Sequence, residues 1–260
     1  MSPLLRAGLR AFEVSLKNRV VSPWTYLNWI AFPLILASVG LFVFSHSSTP
    51  GHDAYAALGG GLIGFWTSAY LDGGNSIGSE RWEGTLEALL AVPTPIWVVM
   101  VGKITAALLL GVISFIPALA LAYLGFRIAP LQIDAGPFLV SFLVLTFSFF
   151  AIAMAFAPLF ALWRWAFSLT NGFELGVYVL GGFMFPVDRL ELWLQRAAWF
   201  VPPSWATRAL YHAAGQAGRA DYAGWWARSI ALSLVCLLLS RLLFRLVEQN
   251  ARRTGQLATA

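Results

Sequence analysis

One cysteine, three histidines and a charged fraction of only 11% are what this 260-residue chain has little of. A lone Cys236 excludes a disulfide framework and any zinc site built from several cysteines. His46, His52 and His212 are too scattered to suggest a metal centre, so none is expected. No G-x-x-x-x-G-K-[ST] motif is present: Gly102-Lys103 is followed by Ile104 and lacks the upstream glycine, so no phosphate cradle is expected in this chain. The start, M-S-P-L-L-R-A-G-L-R, lacks the order of basic flank, short apolar core and small-residue cleavage site that a secretory signal needs, and the N-terminus is expected to be retained.

What is abundant is apolar sequence, 59% of the residues. Charge is missing from Val20 to His52, Ala54 to Leu71, Ile104 to Phe126 and Ala135 to Trp163. Each run is about as long as the roughly 20 residues that cross a bilayer core, and each is apolar all round rather than on one face. The chain therefore reads as a single all-α integral membrane domain over residues 1–260. Six transmembrane helices are expected, near 24–44, 55–79, 97–124, 136–160, 166–186 and 225–245.

The basic residues orient these spans. Arg6, Arg10, Lys17, Arg19, Arg81, Lys103, Arg164, Arg241, Arg245, Arg252 and Arg253 fall on one side, against Arg127 in the short loops opposite, which places both termini in the cytoplasm. The stretch from Asp188 to Arg228 is arginine-rich yet external in this count, as a long external segment is less bound by the rule. The net charge of +5 comes from these membrane-flanking arginines, and no nucleic-acid partner is expected. Most of the tryptophans, Trp24, Trp97, Trp163, Trp193 and Trp225 among them, fall near the span ends, where they anchor in membrane surfaces.

Two segments outside the spans carry pattern. Leu5, Leu9, Phe12 and Leu16 recur at helical spacing beside a polar stripe of Arg6, Arg10, Glu13 and Lys17, which suits a helix over residues 1–22 lying in the inner membrane surface and contacting lipid. Residues 80–95 read E-R-W-E-G-T-L-E-A-L-L-A-V-P-T-P. They predict a short cytoplasmic helix with Glu80, Glu83 and Glu87 on one face and Leu86, Leu89 and Leu90 on another, with Gly84 turning the chain into it and Pro93 ending it. Such a helix docks on a partner.

Inside the spans, Asp72 and Glu174 stand out, because an ionised carboxylate there costs several kcal/mol unless paired or hydrated. At about 1.5 Å per residue, Asp72 lies roughly 10 Å from Ser79 and Glu174 roughly 15 Å beyond Arg164, so the two share a depth in the inward half of one cavity. Asn75 and Asn171 lie one turn nearer the cytoplasm. With Trp66, Phe173 and Tyr178 these groups outline a polar inner vestibule for a cationic or amphipathic substrate; the competing reading is that the carboxylates hydrogen-bond between helices or mark where the membrane boundary lies. Gly60-x-x-x-Gly64, Gly74-x-x-x-Gly78 and Gly172-x-x-x-Gly176 read as helix-packing faces, and Pro33, Pro117 and Pro158 as kinks within spans.

The segment S-E-R-W-E-G-T-L-E-A-L-L-A-V-P-T-P followed by Gly102-Lys103, and F-P-V-D-R-L-E-L-W-L-Q-R-A-A-W-F-V-P-P-S-W-A-T-R-A-L from Phe185 to Leu210, resemble the type-2 ABC permease family, the membrane subunits of ATP-binding-cassette exporters. Trp82 stands where the family more often has a charged residue, and Pro202-Pro203-Ser204 replaces a more common Asn-Pro pair. The resemblance implies a coupling helix between spans 2 and 3, contacting the ATPase through Glu80, Glu83, Gly84, Thr85, Leu86 and Glu87. It also implies external re-entrant helices over 187–212 between spans 5 and 6. The partners implied are a separate ABC ATPase subunit, which uses ATP and Mg, and a second copy of this permease or a close relative. The location implied is the plasma or inner membrane, and this chain itself is no enzyme.

Export of a hydrophobic or amphipathic small molecule, such as a drug, antibiotic or lipid, is the first functional expectation, and export of a polysaccharide or lipid-linked glycan is the alternative. From other classes, an ion-coupled carrier would use Asp72 and Glu174 and often shows related halves, yet no repeat joins residues 1–130 to 131–260. A membrane-embedded transferase would use Asp188, Glu191, His212 and Asp221, which lack a nucleophile–base or metal-ligand spacing.

Overall fold

The structure is a computed structural model, and it describes residues 2–44, 52–82, 84, 94–128, 131–162, 170–215 and 220–254. The residues 83 and 85–93 of the expected coupling helix lie outside this set. Among the described residues every regular element is helical and there is no strand. That follows from composition: in a long apolar run only a helix satisfies its own backbone groups without water or a neighbouring strand.

Chain order gives α1 Pro3–Val21, α2 Pro23–Tyr26, α3 Phe32–Phe44, α4 His52–Thr67, α5 Ser76–Trp82, α6 Ile96–Gly111, α7 Phe115–Ala120, α8 Ala135–Leu162, α9 Thr170–Leu180, α10 Leu192–Ala198, α11 Pro202–Ala213 and α12 Tyr222–Thr254. Wider π-helical turns join several of them, at Leu27–Ala31, Ser68–Gly74 and Leu121–Gly125. Two of the prolines explain local geometry. A proline ring clashes with the carbonyl four residues back; behind Pro33 that carbonyl lies in the π turn Leu27–Ala31, and behind Pro117 in the tight 3-10 turn Val112–Ser114. Pro158 is accommodated within α8.

Three helical stretches among the described residues are long and apolar enough to cross a membrane: Ile96–Gly125, Ala135–Phe160 and Tyr222–Gln249. At 1.5 Å per residue each exceeds the roughly 30 Å of a bilayer core. They coincide with three of the six expected spans. The span expected at 166–186 is different, because α9 stops at Leu180. Gly182 adopts φ +68°, the left-handed conformation that glycine takes freely, and the Gly181 and Phe183 amides bond back to Val177 and Tyr178. An apolar run to Phe185 conceals this stop.

The core lies where α4 and the π turn Ser68–Gly74 meet α6 and α8. Trp66 is fully buried there, stacked on Tyr70 at 5.2 Å and edge-on to Phe149 at 5.2 Å. α12 runs along α8, tied by serines rather than by charge: Ser148 and Ser229 hydroxyls are 2.8 Å apart, and Ser240 donates to the Met154 carbonyl at 2.6 Å. Gly60 and Gly64 abut Ala37 and Pro33 of α3 and Ser114, so that glycine pair packs helices within the chain. Gly172 and Gly176 on α9 have open space instead. α1 lies along α6, with Gly8 and Gly102 at the crossing.

Candidate functional site

A cavity of about 1150 Å³ opens between α1, the π turn Ser68–Gly74, α5, α6 and the start of α9. Helical spacing builds its walls: Ala11, Ser15, Asn18 and Arg19 share one face of α1, and Ser22 follows at its C-terminal end. That face is distinct from the apolar side of α1, where Leu5 and Leu9 are about half exposed at 52% and 49%. On the outward polar side, Glu13 accepts from Lys17 at 2.7 Å and from Arg10 at 3.4 Å. The Lys17 hydrogen bond first, then the charges of Lys17 and Arg10, hold the Glu13 carboxyl below the usual carboxylate range.

Two ion pairs cross the cavity wall. Arg19 reaches from α1 to Asp72, with Nη1 3.4 Å from Oδ2 and the two side chains only 13% and 14% exposed. Its Nη2 also donates to the Asp72 carbonyl, and its Nε donates to Ser15 Oγ at 3.1 Å. Lys103 of α6 donates to Glu80 of α5, both again largely buried. Neither partnership is local in sequence, and the sequence marks neither cation as a partner of a carboxylate. The clue is energetic: a carboxylate in an apolar stretch such as that around Asp72 calls for a cation or water, and α1 is a basic segment.

The expected pathway residues separate into two groups. Asp72, Asn75 and Asn171 line the cavity. Trp66, Glu174 and Tyr178 are buried in the helix packing instead. Glu174 Oε1 accepts from the Thr67 hydroxyl at 2.7 Å and from the Tyr178 hydroxyl, and those two hydroxyls are 2.7 Å apart. The carboxylate thus joins α9 to α4, which is the interhelical role. Glu174→Gln keeps an acceptor for both hydroxyls and is expected to cost less than about 1 kcal/mol, whereas Glu174→Leu is expected to cost about 1–3 kcal/mol in thermal unfolding. Equal costs for the two would argue against this network.

Of the expected coupling residues, Glu80 holds the Lys103 pair and Gly84 adopts φ +72°, a turn that suits glycine. Glu83, Thr85, Leu86 and Glu87 lie outside the described residues.

At the far end, the Pro186–Ala213 region holds a pocket of only about 20 Å³, lined among others by Asp188, Arg208 and His212. Asp188 pairs with Arg208, whose guanidinium lies 5.7 Å from the Trp205 ring, while Arg228 lies 4.8 Å over the same ring. Burial, then the Arg208 charge, pushes the His212 imidazole below its ordinary value, against the pull of Asp188. Asp221 accepts from the Gly224 amide at 3.1 Å at the start of α12.

The family model for the ABC-2 type transporter matches residues 11–214. Two curated relatives, each described as "Probable multidrug ABC transporter permease YbhR", come from Escherichia coli strain K12 and from Escherichia coli O157:H7. Each is 26% identical over 127 residues, which is 49% of this chain and 34% of the relative. The matched part thus spans about a third of the length of those relatives. With a match over most of its length and helices long and apolar enough to cross a membrane, the chain belongs to the ABC-2 type transporter family.

Proposed function

We propose that this chain is the permease of an ATP-driven exporter that moves a hydrophobic or amphipathic small molecule out of the cytoplasm or inner leaflet. Six spans, two permease copies and two separate ATPase subunits complete the assembly in the plasma or inner membrane, with both permease termini cytoplasmic. ATP and Mg act in the partner subunits. The multidrug description of the two relatives agrees with this substrate class.

The observation that carries the reading is the 1150 Å³ cavity beside the base of the coupling segment, with Glu80 on its wall. Its lining is mostly amides, hydroxyls and paired charges, and the adjoining side of α1 presents Leu5 and Leu9 outward. A molecule with a polar end and an apolar body suits that pairing of surfaces. Asp72 is already engaged by Arg19, which favours an amphipathic substrate over a simple cation.

In this mechanism the ATPase grips residues 80–95, and its closure on ATP drives that segment against α5 and α6. Replacing Glu83 and Glu87 together by arginine is expected to weaken docking by at least about tenfold, or about 1.4 kcal/mol, since reversed charges at an interface repel the correct partner. The test is ATP hydrolysis by a separate ABC ATPase subunit reconstituted with this chain in lipid, across a panel of amphipathic compounds. Turnover indifferent both to the chain and to the double reversal would overturn the proposal.

A further inference from the structure

We infer that Arg19 and Lys103 are positioning residues that tie the base of the coupling segment to two walls of the cavity, so that α1 and α6 move with it. This rests on the coupling reading above and concerns residues outside the expected ATPase contact.

The stretch Asp72–Glu80 contains a break. The π turn ends at Gly74, Asn75 departs from helical geometry at φ −81°, ψ 4°, and α5 begins at Ser76. A push on α5 alone would be absorbed by bending at such a break. The two ion pairs sit on either side of it. Ahead of the break, Arg19 holds both the carboxylate and the main-chain carbonyl of Asp72, fixing the π turn to α1. Beyond the break, Lys103 holds Glu80 and so fixes α5 to α6.

Burial gives these pairs their directional stiffness. Exposed ion pairs are weak and easily rearranged, as with Arg10 and Glu13, whose side chains are 81% and 45% exposed and which lie on one helix. The Arg19 and Lys103 pairs are at most 23% exposed and each joins two elements. Since α1 also lies along α6, the two struts close a loop of contacts around the cavity. Displacement entering at α5 therefore reaches both walls, and the distance between α1 and the start of α9 changes.

The test uses the full chain with its co-purifying ATPase in nanodiscs, with nitroxides at Asn18→Cys on α1 and Asn171→Cys on α9 in a Cys236→Ser background. Pulsed electron resonance reads the distance between them, nucleotide-free and trapped with Mg-ATP and vanadate. The unreversed protein is expected to shift by about 5 Å, the rise of one helical turn. Glu80→Lys and Lys103→Glu are each expected to lose more than half of that shift, and the two combined to restore it. Lys103→Met removes the charge without adding repulsion; it serves where a reversal does not fold, and is expected to lose the shift too. Single variants that keep the full shift, with only a lowered melting temperature, would reduce the pairs to structural contacts and overturn this inference alone. An absent shift in the unreversed protein would overturn the coupling reading as well.

Discussion

Arg19→Leu is expected to destabilise the protein by about 3–5 kcal/mol, because it leaves the carboxylate of Asp72 buried without a counter-charge. The two side chains are 13% and 14% exposed, so water offers little replacement. The guanidinium also serves the Asp72 carbonyl and the Ser15 hydroxyl, and those acceptor sites lose a donor together. Lysine at this position supplies the charge but cannot reach three acceptors in a fixed fork, and is expected to recover only part of the loss. Arg19→Leu combined with Asp72→Asn removes the uncompensated charge and is expected to regain most of it. Denaturant titration in detergent micelles reads these differences. A cost below about 1 kcal/mol for the single change would mean that Asp72 is fully hydrated and the pair incidental.

Gly102→Val is expected to separate α1 from α6. A Cβ at this position would fall 2.5 Å from the Gly8 carbonyl oxygen and 2.8 Å from the Phe12 amide nitrogen. Both obstacles are backbone, so no side-chain rotation relieves them and the helices must move apart. Overpacking of this kind costs about 1–3 kcal/mol, and here it acts on a helix held to the bundle along one face. Tryptic cleavage after Arg10 and Lys17 is expected to speed up, since a helix is cut mainly through its locally unfolded state. Unchanged cleavage would show that α1 is held elsewhere. Because α1 carries one wall of the cavity, ATP-driven transport is expected to fall in the same variant.

The readability of this chain differs between its elements for physical reasons. The spans at 97–124, 136–160 and 225–245 were plain because an uninterrupted apolar run has few ways to fold other than a helix. The end of α9 was not: Gly181-Gly182 is a stop signal in the sequence, but the apolar residues on both sides read as one span. The seven expected pathway residues, Phe173 included, have similar credentials in the sequence, being polar or aromatic groups in apolar surroundings. Only three of them reach the cavity. Glu174 faces Thr67, 107 positions away, and Asp72 faces Arg19, 53 positions away. No local periodicity reports on partners at such separations.

The sequence by itself determined the class of the protein: helical, membrane-embedded, and similar to an ABC permease through residues 79–95 and 185–210. These are properties of composition and of short contiguous motifs, which survive without knowledge of packing. Tertiary structure alone decided that Asp72 lines a cavity while Glu174 hydrogen-bonds between helices, that Arg19 and Lys103 are the counter-charges, and that Gly8 and Gly102 meet. Those outcomes depend on which faces of distant helices touch. A buried charge or a close approach is satisfied by whatever lies across the contact, wherever that residue stands in the chain.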